Sequence, residues 1–505
     1  MSDPTSERPT RGTDGAPARS TLTASSESPP GWASGPSEHV VTGRATQPAK
    51  EQNLSKVAGP VLLWGIAVGA VISGDYYGWN AGLGFTGYWG YLVAIAIMGL
   101  LYAGLAGVIG ELGAAIPHSG GAYAYARTAL GRVWGYLAGV SVLLEFVFAP
   151  VAVALTVGAY VQVLFPGVPI LVSATFLYVA SIVVHLRGAG NSLRLGFVFT
   201  AVALVGLVAF VVVGAPQVTL AHLNAYSGGA VFPNGISGLW ATLPLAAWFF
   251  FAIESLPMAA EETRNPTKDI PRALLWAFIT LAIVGVGTLT VAAGVGGSDL
   301  PQATAPLTVA MANVVGNQAW IVPAIAVFSL AALVASFHAI VLAYSRQTFA
   351  LARTGYLPSW LSNLNGKHVP VWGLIVPGVA GYVFVILGDT ILPNAIPVLV
   401  TLSVLVAAVS YMLMMIAALV LRKKRPDLDR PYRTPGGTVT MWIALVLAAL
   451  LVPAALVSYP IAFVIGVGCI LLFLGYYFAV GRKRVGNLTA EEELAAVEQA
   501  EALLD

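Results

Sequence analysis

Asp75 lies in Gly69–Leu83, reading GAVISGDYYGWNAGL, between segments too apolar for water, Val57–Val71 before it and Tyr91–Ala106 after it. A charge at bilayer depth costs about 2.5–3.5 kcal/mol or more, so such a residue faces the protein interior and serves a substrate or ion pathway. Ser73, Gly74, Gly78 and Gly82 weaken helical continuity around it, and Tyr76, Tyr77 and Trp79 offer aromatic faces. The chemistry available to this stretch is the recognition of a small cation inside an interrupted helix.

Of 23 Asp and Glu residues, only Asp75, Glu111, Glu145 and Glu254 fall within apolar segments. Glu145 is midway along Val133–Leu164, and Glu254 is at mid-depth of Ile236–Ala260 in the run FFFAIESLPMAAEE. Glu111 stands near a segment end, beside Pro117, His118, Ser119, Gly120 and Gly121, and reads as a structural helix-end residue.

The elements that must position these acids are membrane spans. The chain has 505 residues, 57% hydrophobic and 10% charged, with mean hydropathy +0.81, which excludes a soluble enzyme. Segments of the roughly 20 residues needed to cross a bilayer occur at Val57–Leu83, Tyr91–Ala115, Val133–Leu164, Ile170–Leu186, Leu195–Val213 and Ile236–Ala260. Six more follow at Ala273–Val295, Ala319–Tyr344, Val371–Leu387, Ala395–Leu421, Val439–Val457 and Ile461–Val480. The expectation is an all-α polytopic membrane protein of twelve transmembrane helices.

The 25 Lys and Arg residues give the orientation. They fall before the first span, in alternate loops at Arg127–Arg132, Arg187–Arg194, Arg264–Arg272, Arg346–Lys367 and Arg422–Arg433, and after the last span at Arg482–Arg484. The intervening loops, such as Ala215–Gly235 and Gly296–Gln318, carry none, which puts both termini in the cytoplasm by the positive-inside rule. The expected organisation is a disordered tail at 1–52, five-helix units at 53–214 and 215–421, two further helices in 422–484 and a short tail at 485–505. The single cysteine, Cys469, excludes an internal disulfide and reads as a packed thiol. No metal site or cofactor is expected, and no phosphate loop or basic patch supports nucleic-acid binding.

Spans one and six head successive groups of five. Five is odd, so the groups run in opposite directions through the membrane, as in transporters whose site lies between discontinuous helices of an inverted repeat. The corresponding positions carry the Gly-rich break Ser73–Gly78 and the interruption expected at Glu254-Ser255-Leu256-Pro257, where the proline frees a backbone carbonyl. Each expected break carries an acid.

Three motifs resemble the amino acid/polyamine/organocation superfamily. They are Glu111-Leu112 with Pro117-His118-Ser119-Gly120-Gly121-Ala122-Tyr123, the run Glu261-Glu262-Thr263-Arg264-Asn265-Pro266-Thr267-Lys268, and Tyr344-Ser345-Arg346-Gln347 continuing to Arg353-Thr354-Gly355-Tyr356-Leu357-Pro358. The resemblance covers residues 55–480. It implies a secondary transporter in which free backbone amides of the first broken span, usually an Ile-Gly-Ser-Gly-Ile-Phe run, receive a substrate carboxylate. Here the run is Ile72-Ser73-Gly74-Asp75-Tyr76-Tyr77, and its acid would repel that carboxylate in a low-dielectric site. The runs around Asp75, Glu145 and Glu254 are similar to the ethanolamine permease branch, which implies uptake of a small ammonium alcohol.

On this reading Asp75 and Glu254 attract the ammonium with Glu145 as a third acid. Ser73 and Gly74 lie at the break, and Tyr76, Tyr77, Trp79, Trp248 and Phe251 supply cation–π contacts, with plain helix packing the competing account of each ring. Three acids are excessive for one monovalent cation, so one carries a proton during the cycle, and a proton is the expected coupling ion. Glu145 and His338 are coupling candidates; Ser329 and Ser336 would serve a sodium ion. A lone histidine such as His338 has an ordinary packed role as its alternative. Glu261, Glu262, Arg264 and Lys268 form a charge network that could gate the cytoplasmic side.

The alternatives are a cationic amino-acid or polyamine exchanger of the same fold, and a transporter-like nutrient sensor. An intramembrane protease would require a second intramembrane aspartate or a paired-histidine motif, and neither is present. The expected setting is the plasma membrane, with the bilayer and a small amine as the partners.

Overall fold

Long runs of Leu, Val, Ala and Ile must close their backbone hydrogen bonds within the segment, because a bilayer core offers none in exchange. Helices are the result. The computed structural model describes residues 58–485 except Ser119 and Gln318, with backbone alone at 189–193 and 260–262. The expected tails fall outside these residues, save for Val485.

The first span is broken. Helix α1 (Pro60–Val71) passes into a 3-10 turn, Ile72–Asp75, and an irregular stretch follows before α2 (Ala81–Ala115). Within α2, Gly87 takes φ 64° and ψ −175°, a conformation open to glycine, so Ala81–Thr86 completes the first span and the second starts at Tyr88. Then come α3 (Ala122–Leu130), α4 (Arg132–Leu164), α5 (Ile170–Leu186), α6 (Ala189–Gly214) and the short α7 (Leu220–Ala225).

The sixth apolar segment is broken as well, but earlier than expected. Helix α8 (Gly235–Ala247) ends ahead of turns at Trp248–Ala252, and a 3-10 helix, Ile253–Glu262, carries Glu254 and Pro257 inside it. The α-helix is thus interrupted from Trp248 through Glu262, a stretch that includes the expected Glu254–Pro257 and begins at four consecutive aromatic residues. Trp248 stacks on Phe251, Phe249 on Trp79, and Phe250 packs against Tyr102 and Phe278. The turn ends at Ala252, held at φ 75°, a left-handed conformation that costs a non-glycine residue about 1–2 kcal/mol.

The remaining helices are α9 (Pro266–Gly294), α10 (Pro306–Val315), α11 (Ile321–Arg353), α12 (Val371–Thr390), α13 (Ala395–Lys424), α14 (Gly437–Ser458) and α15 (Pro460–Tyr476). Among the described residues nine helical segments are long and apolar enough to cross a membrane, and α1, α5, α8 and α10 are shorter apolar helices. Helices α7 and α10 lie in stretches expected to be plain loops; their buried Leu223, Leu307 and Met311 dock them on the bundle.

Helix α4 is the axis. Its most apolar window is wholly buried, against α11 and α13. The periphery shows the inverse pattern, with Val61, Phe176, Val205, Ile283, Val464 and Leu472 each more than half exposed. Apolar side chains outside and carboxylates inside make this a multi-pass membrane protein.

Candidate functional site

The two helix breaks touch. A Cβ added to Gly74 would strike the carbonyl oxygen of Trp248, so glycine permits the backbone-to-backbone approach. Helix α11 fastens the first break from behind, where the Ser73 hydroxyl donates to Ser336 Oγ at 2.8 Å and Ser336 Oγ donates to the Ala70 carbonyl. Ser336 thus joins α11 to the end of α1 and the break after it, whereas Ser329 donates within its own helix, to Ile325 O at 2.7 Å.

Asp75 is completely buried at the end of the 3-10 turn, and neither carboxylate oxygen has a hydrogen-bond partner among the described residues. Its Oδ1 points at Gly285 of α9, where an added Cβ would come within 3.0 Å of it, next to the Phe249 ring. A buried, unmatched carboxylate is costly unless it takes up a proton or a counter-charge arrives. The geometry therefore suits a cation.

The aromatic residues surround this point in different ways. Trp79 stacks on Phe249 at 5.9 Å and donates its Nε1 hydrogen to the Asp75 carbonyl at 3.0 Å. Tyr77 meets Trp248 edge-on at 5.7 Å, and Trp248 stacks on Phe251 at 4.6 Å. The Tyr76 hydroxyl is occupied elsewhere, donating to the Ala203 carbonyl of α6 at 2.6 Å.

Glu145, on α4, is completely buried, and Glu254 lies on the 3-10 helix after the second break, 4% exposed. Glu254 Oε1 accepts from the Tyr411 hydroxyl at 2.7 Å and the Ala252 N–H at 3.2 Å, while Glu145 receives no hydrogen bond from any donor among the described residues. Tyr102 stands behind Tyr411 at 3.3 Å.

The His338 ring lies tilted against His185 of α5, centroids 3.9 Å apart, and the Ser181 hydroxyl is 3.3 Å from its Nδ1. Arg264 and Lys268 are exposed around the start of α9, and the side chains of Glu261 and Glu262 lie outside the described residues.

Sequence reasoning missed Tyr411, Tyr102, Gly285, Phe249 and His185. A tyrosine deep in an apolar helix, away from the interface where that residue concentrates, is a usable signal for the first two. Glycine and phenylalanine in apolar helices carry none. Glu111 is another buried acid, and it is fully matched. It accepts from Arg422 Nε at 2.9 Å, Arg422 NH2 at 2.5 Å, Thr434 N at 2.7 Å and Thr434 Oγ1 at 2.8 Å, with Arg430 Nε at 3.5 Å.

Comparison with known proteins gives a match of the amino acid permease family model to residues 63–487. An uncharacterised transporter of Rhizobium meliloti (strain 1021) is 28% identical over 429 residues, 83% of this chain and 90% of that protein. An uncharacterised transporter of Mycobacterium tuberculosis (strain H37Rv) is 33% identical over 62% of this chain and 70% of its own length. The branched-chain amino acid permease BcaP of Bacillus subtilis (strain 168) is 24% identical over 80% of this chain and 88% of that protein.

Proposed function

We propose, from the premise that the chain belongs to the amino acid permease family, that it imports a small organic amine, with ethanolamine as the leading substrate. The single observation that carries this reading is the buried, unpartnered carboxylate of Asp75 between the two helix breaks. An ammonium there gains a charge-assisted hydrogen bond, whereas a substrate carboxylate meets a like charge at low dielectric. Tyr77, Trp79, Trp248, Phe249 and Phe251 crowd the same breaks. They favour a small ammonium alcohol over choline, whose methyl groups require a wider aromatic box and donate no N–H hydrogen bond.

The accompanying topology is twelve spans in a 5+5 inverted repeat plus two further helices, in the plasma membrane with both termini cytoplasmic. Alternating access would rock the broken spans against α4 and α11. A proton is the coupling ion, and Arg264 and Lys268 sit where a cytoplasmic gate would close.

The relatives' names favour a second reading, a neutral amino acid. Weighing against confinement of the family to amino acids is a relative named as the methylthioribose transporter of Bacillus subtilis, 23% identical over 77% of this chain. The test is uptake of labelled ethanolamine into proteoliposomes against unlabelled leucine, arginine, putrescine and choline. Competition by ethanolamine alone is the expected result. Competition by leucine selects the second reading, and competition by arginine or putrescine selects the cationic exchanger.

A further inference from the structure

Helix α9 changes character at Arg272. Lys268 and Arg272 are exposed cations one helical turn apart, and from Ala273 to Gly294 the helix carries no charge. The same face continues at the same spacing with Trp276 and Thr280. Trp276 is 60% exposed and Val61, on the neighbouring α1, 65%. Between the two helices runs a groove of about 500 Å³, walled by Pro60, Val61 and Trp64 on α1 and by Arg272, Trp276 and Thr280 on α9. No acidic side chain lines it among the described residues.

We propose that this groove binds an anionic phospholipid of the surrounding bilayer, its phosphate on Arg272 and an acyl chain along the outer face of α9. Charge is the first support. The Arg272 side chain has no hydrogen-bond or ion-pair partner among the described residues, and a guanidinium takes a phosphate through paired N–H bonds. Lys268 adds a second positive charge, and α1 starts at the same groove with no side chain capping its first turn, so its N–H groups add partial positive charge. Depth is the second support. An arginine that ends a charged stretch beside a tryptophan stands where headgroups meet hydrocarbon, the level at which tryptophan concentrates and long cationic side chains reach for phosphate. The outlet is the third. Below Trp276 the same face reaches Ile283, 69% exposed, which offers an acyl chain an apolar seat that a free phosphate would not use.

The groove lies between the two helices that frame Asp75. Helix α1 leads into the Ile72–Asp75 turn, and α9 carries Gly285, toward which Asp75 Oδ1 points. Two hydrogen bonds already join this end of α1 to α9 and the segment before it: Trp64 Nε1 donates to Thr280 Oγ1 at 3.3 Å, and the Arg264 N–H donates to the Ala58 carbonyl at 3.0 Å. A headgroup that bridges Arg272 and the start of α1 adds a third link. An occupied groove therefore holds α1 against α9 and stabilises the fold by mass action.

The experiment titrates the purified full chain in uncharged detergent with dioleoyl phosphatidylglycerol or dioleoyl phosphatidylcholine, reading bound lipid by native mass spectrometry and the thermal unfolding midpoint. Wild type should retain phosphatidylglycerol in preference and melt higher with it. A juxtamembrane cation changes affinity for an anionic headgroup about fivefold, so Arg272→Gln should weaken phosphatidylglycerol binding about fivefold and its combination with Lys268→Gln about twenty-five-fold. A control pair, Lys423→Gln with Lys424→Gln at the exposed end of α13, should leave binding unchanged. Undiminished binding in Arg272→Gln, an equal loss in the control pair, or equal retention of the two lipids overturns the inference. Inorganic phosphate that reproduces the rise in melting without lipid overturns the lipid as occupant. Melting in phosphatidylcholine checks that each variant folds; if Arg272→Gln melts early there, Lys268→Gln alone decides, with the same fivefold loss expected. None of these readouts involves transport, so failure of the substrate reading leaves this result standing.

Discussion

Glu111 and Asp75 are both buried carboxylates on successive apolar segments, yet their surroundings are opposites. Glu111 is held by Arg422, Arg430 and Thr434, so its charge is spent on joining α2 to the end of α13 and the connection beyond it. Asp75 is buried as deeply and receives nothing. The first arrangement is complete without a ligand, and the second is not. Burial alone, then, does not identify a functional acid; what distinguishes it is a charge left without donors by a protein that could have supplied them.

The comparison can be broken from the Glu111 side first. Glu111→Ala leaves two guanidinium groups and the Thr434 N–H facing a void, which should cost about 3–5 kcal/mol of stability. The check is a lowered thermal unfolding midpoint in detergent, with saturable uptake preserved in the protein that remains folded. Normal melting with lost uptake would reverse the roles assigned to the two acids.

From the other side, Asp75→Asn removes the counter-charge and nothing that holds the fold. Ethanolamine uptake should fall about a hundredfold, equivalent to about 2.7 kcal/mol, while melting stays within a few degrees of wild type. Tyr411→Phe is a smaller test, since it deletes one of the two donors to Glu254. A hydrogen bond to a charged group is worth about 1.5–3 kcal/mol, so the rate of uptake should fall about tenfold, measured across a pH profile. The smallest effect belongs to Gly285→Ala, whose Cβ would come within 3.0 Å of Asp75 Oδ1. Overpacking of that kind costs about 1–3 kcal/mol at most, and it should appear as a severalfold rise in the KM for ethanolamine with kcat little changed. An unchanged KM would mean the substrate does not use that side of Asp75.

Much of the architecture was legible in the chain. Among the described residues the twelve apolar stretches are mainly helical, with the first and sixth interrupted, because a segment of that composition has few other ways to satisfy its backbone. The break at Ser73–Gly78 was readable from its glycines and its acid. The break in the sixth segment includes the expected Glu254–Pro257, within a 3-10 helix, but it starts earlier, at Trp248. Proline is a local signal, whereas the earlier start, where Phe249 meets Trp79 and Phe250 meets Tyr102 and Phe278, depends on where those partners sit.

The sequence by itself determined that this protein is helical and crosses a membrane, and which four acids lie at depth. Composition and span length settle those points, because the bilayer imposes the same requirement on every segment whatever its neighbours. Only the tertiary structure decided how the acids are divided. Glu111 meets residues more than 300 positions away at Arg422 and Thr434, Glu254 meets Tyr411, and Asp75 meets a glycine. A carboxylate's role depends on the donors that packing brings to it, and no spacing along the chain records that.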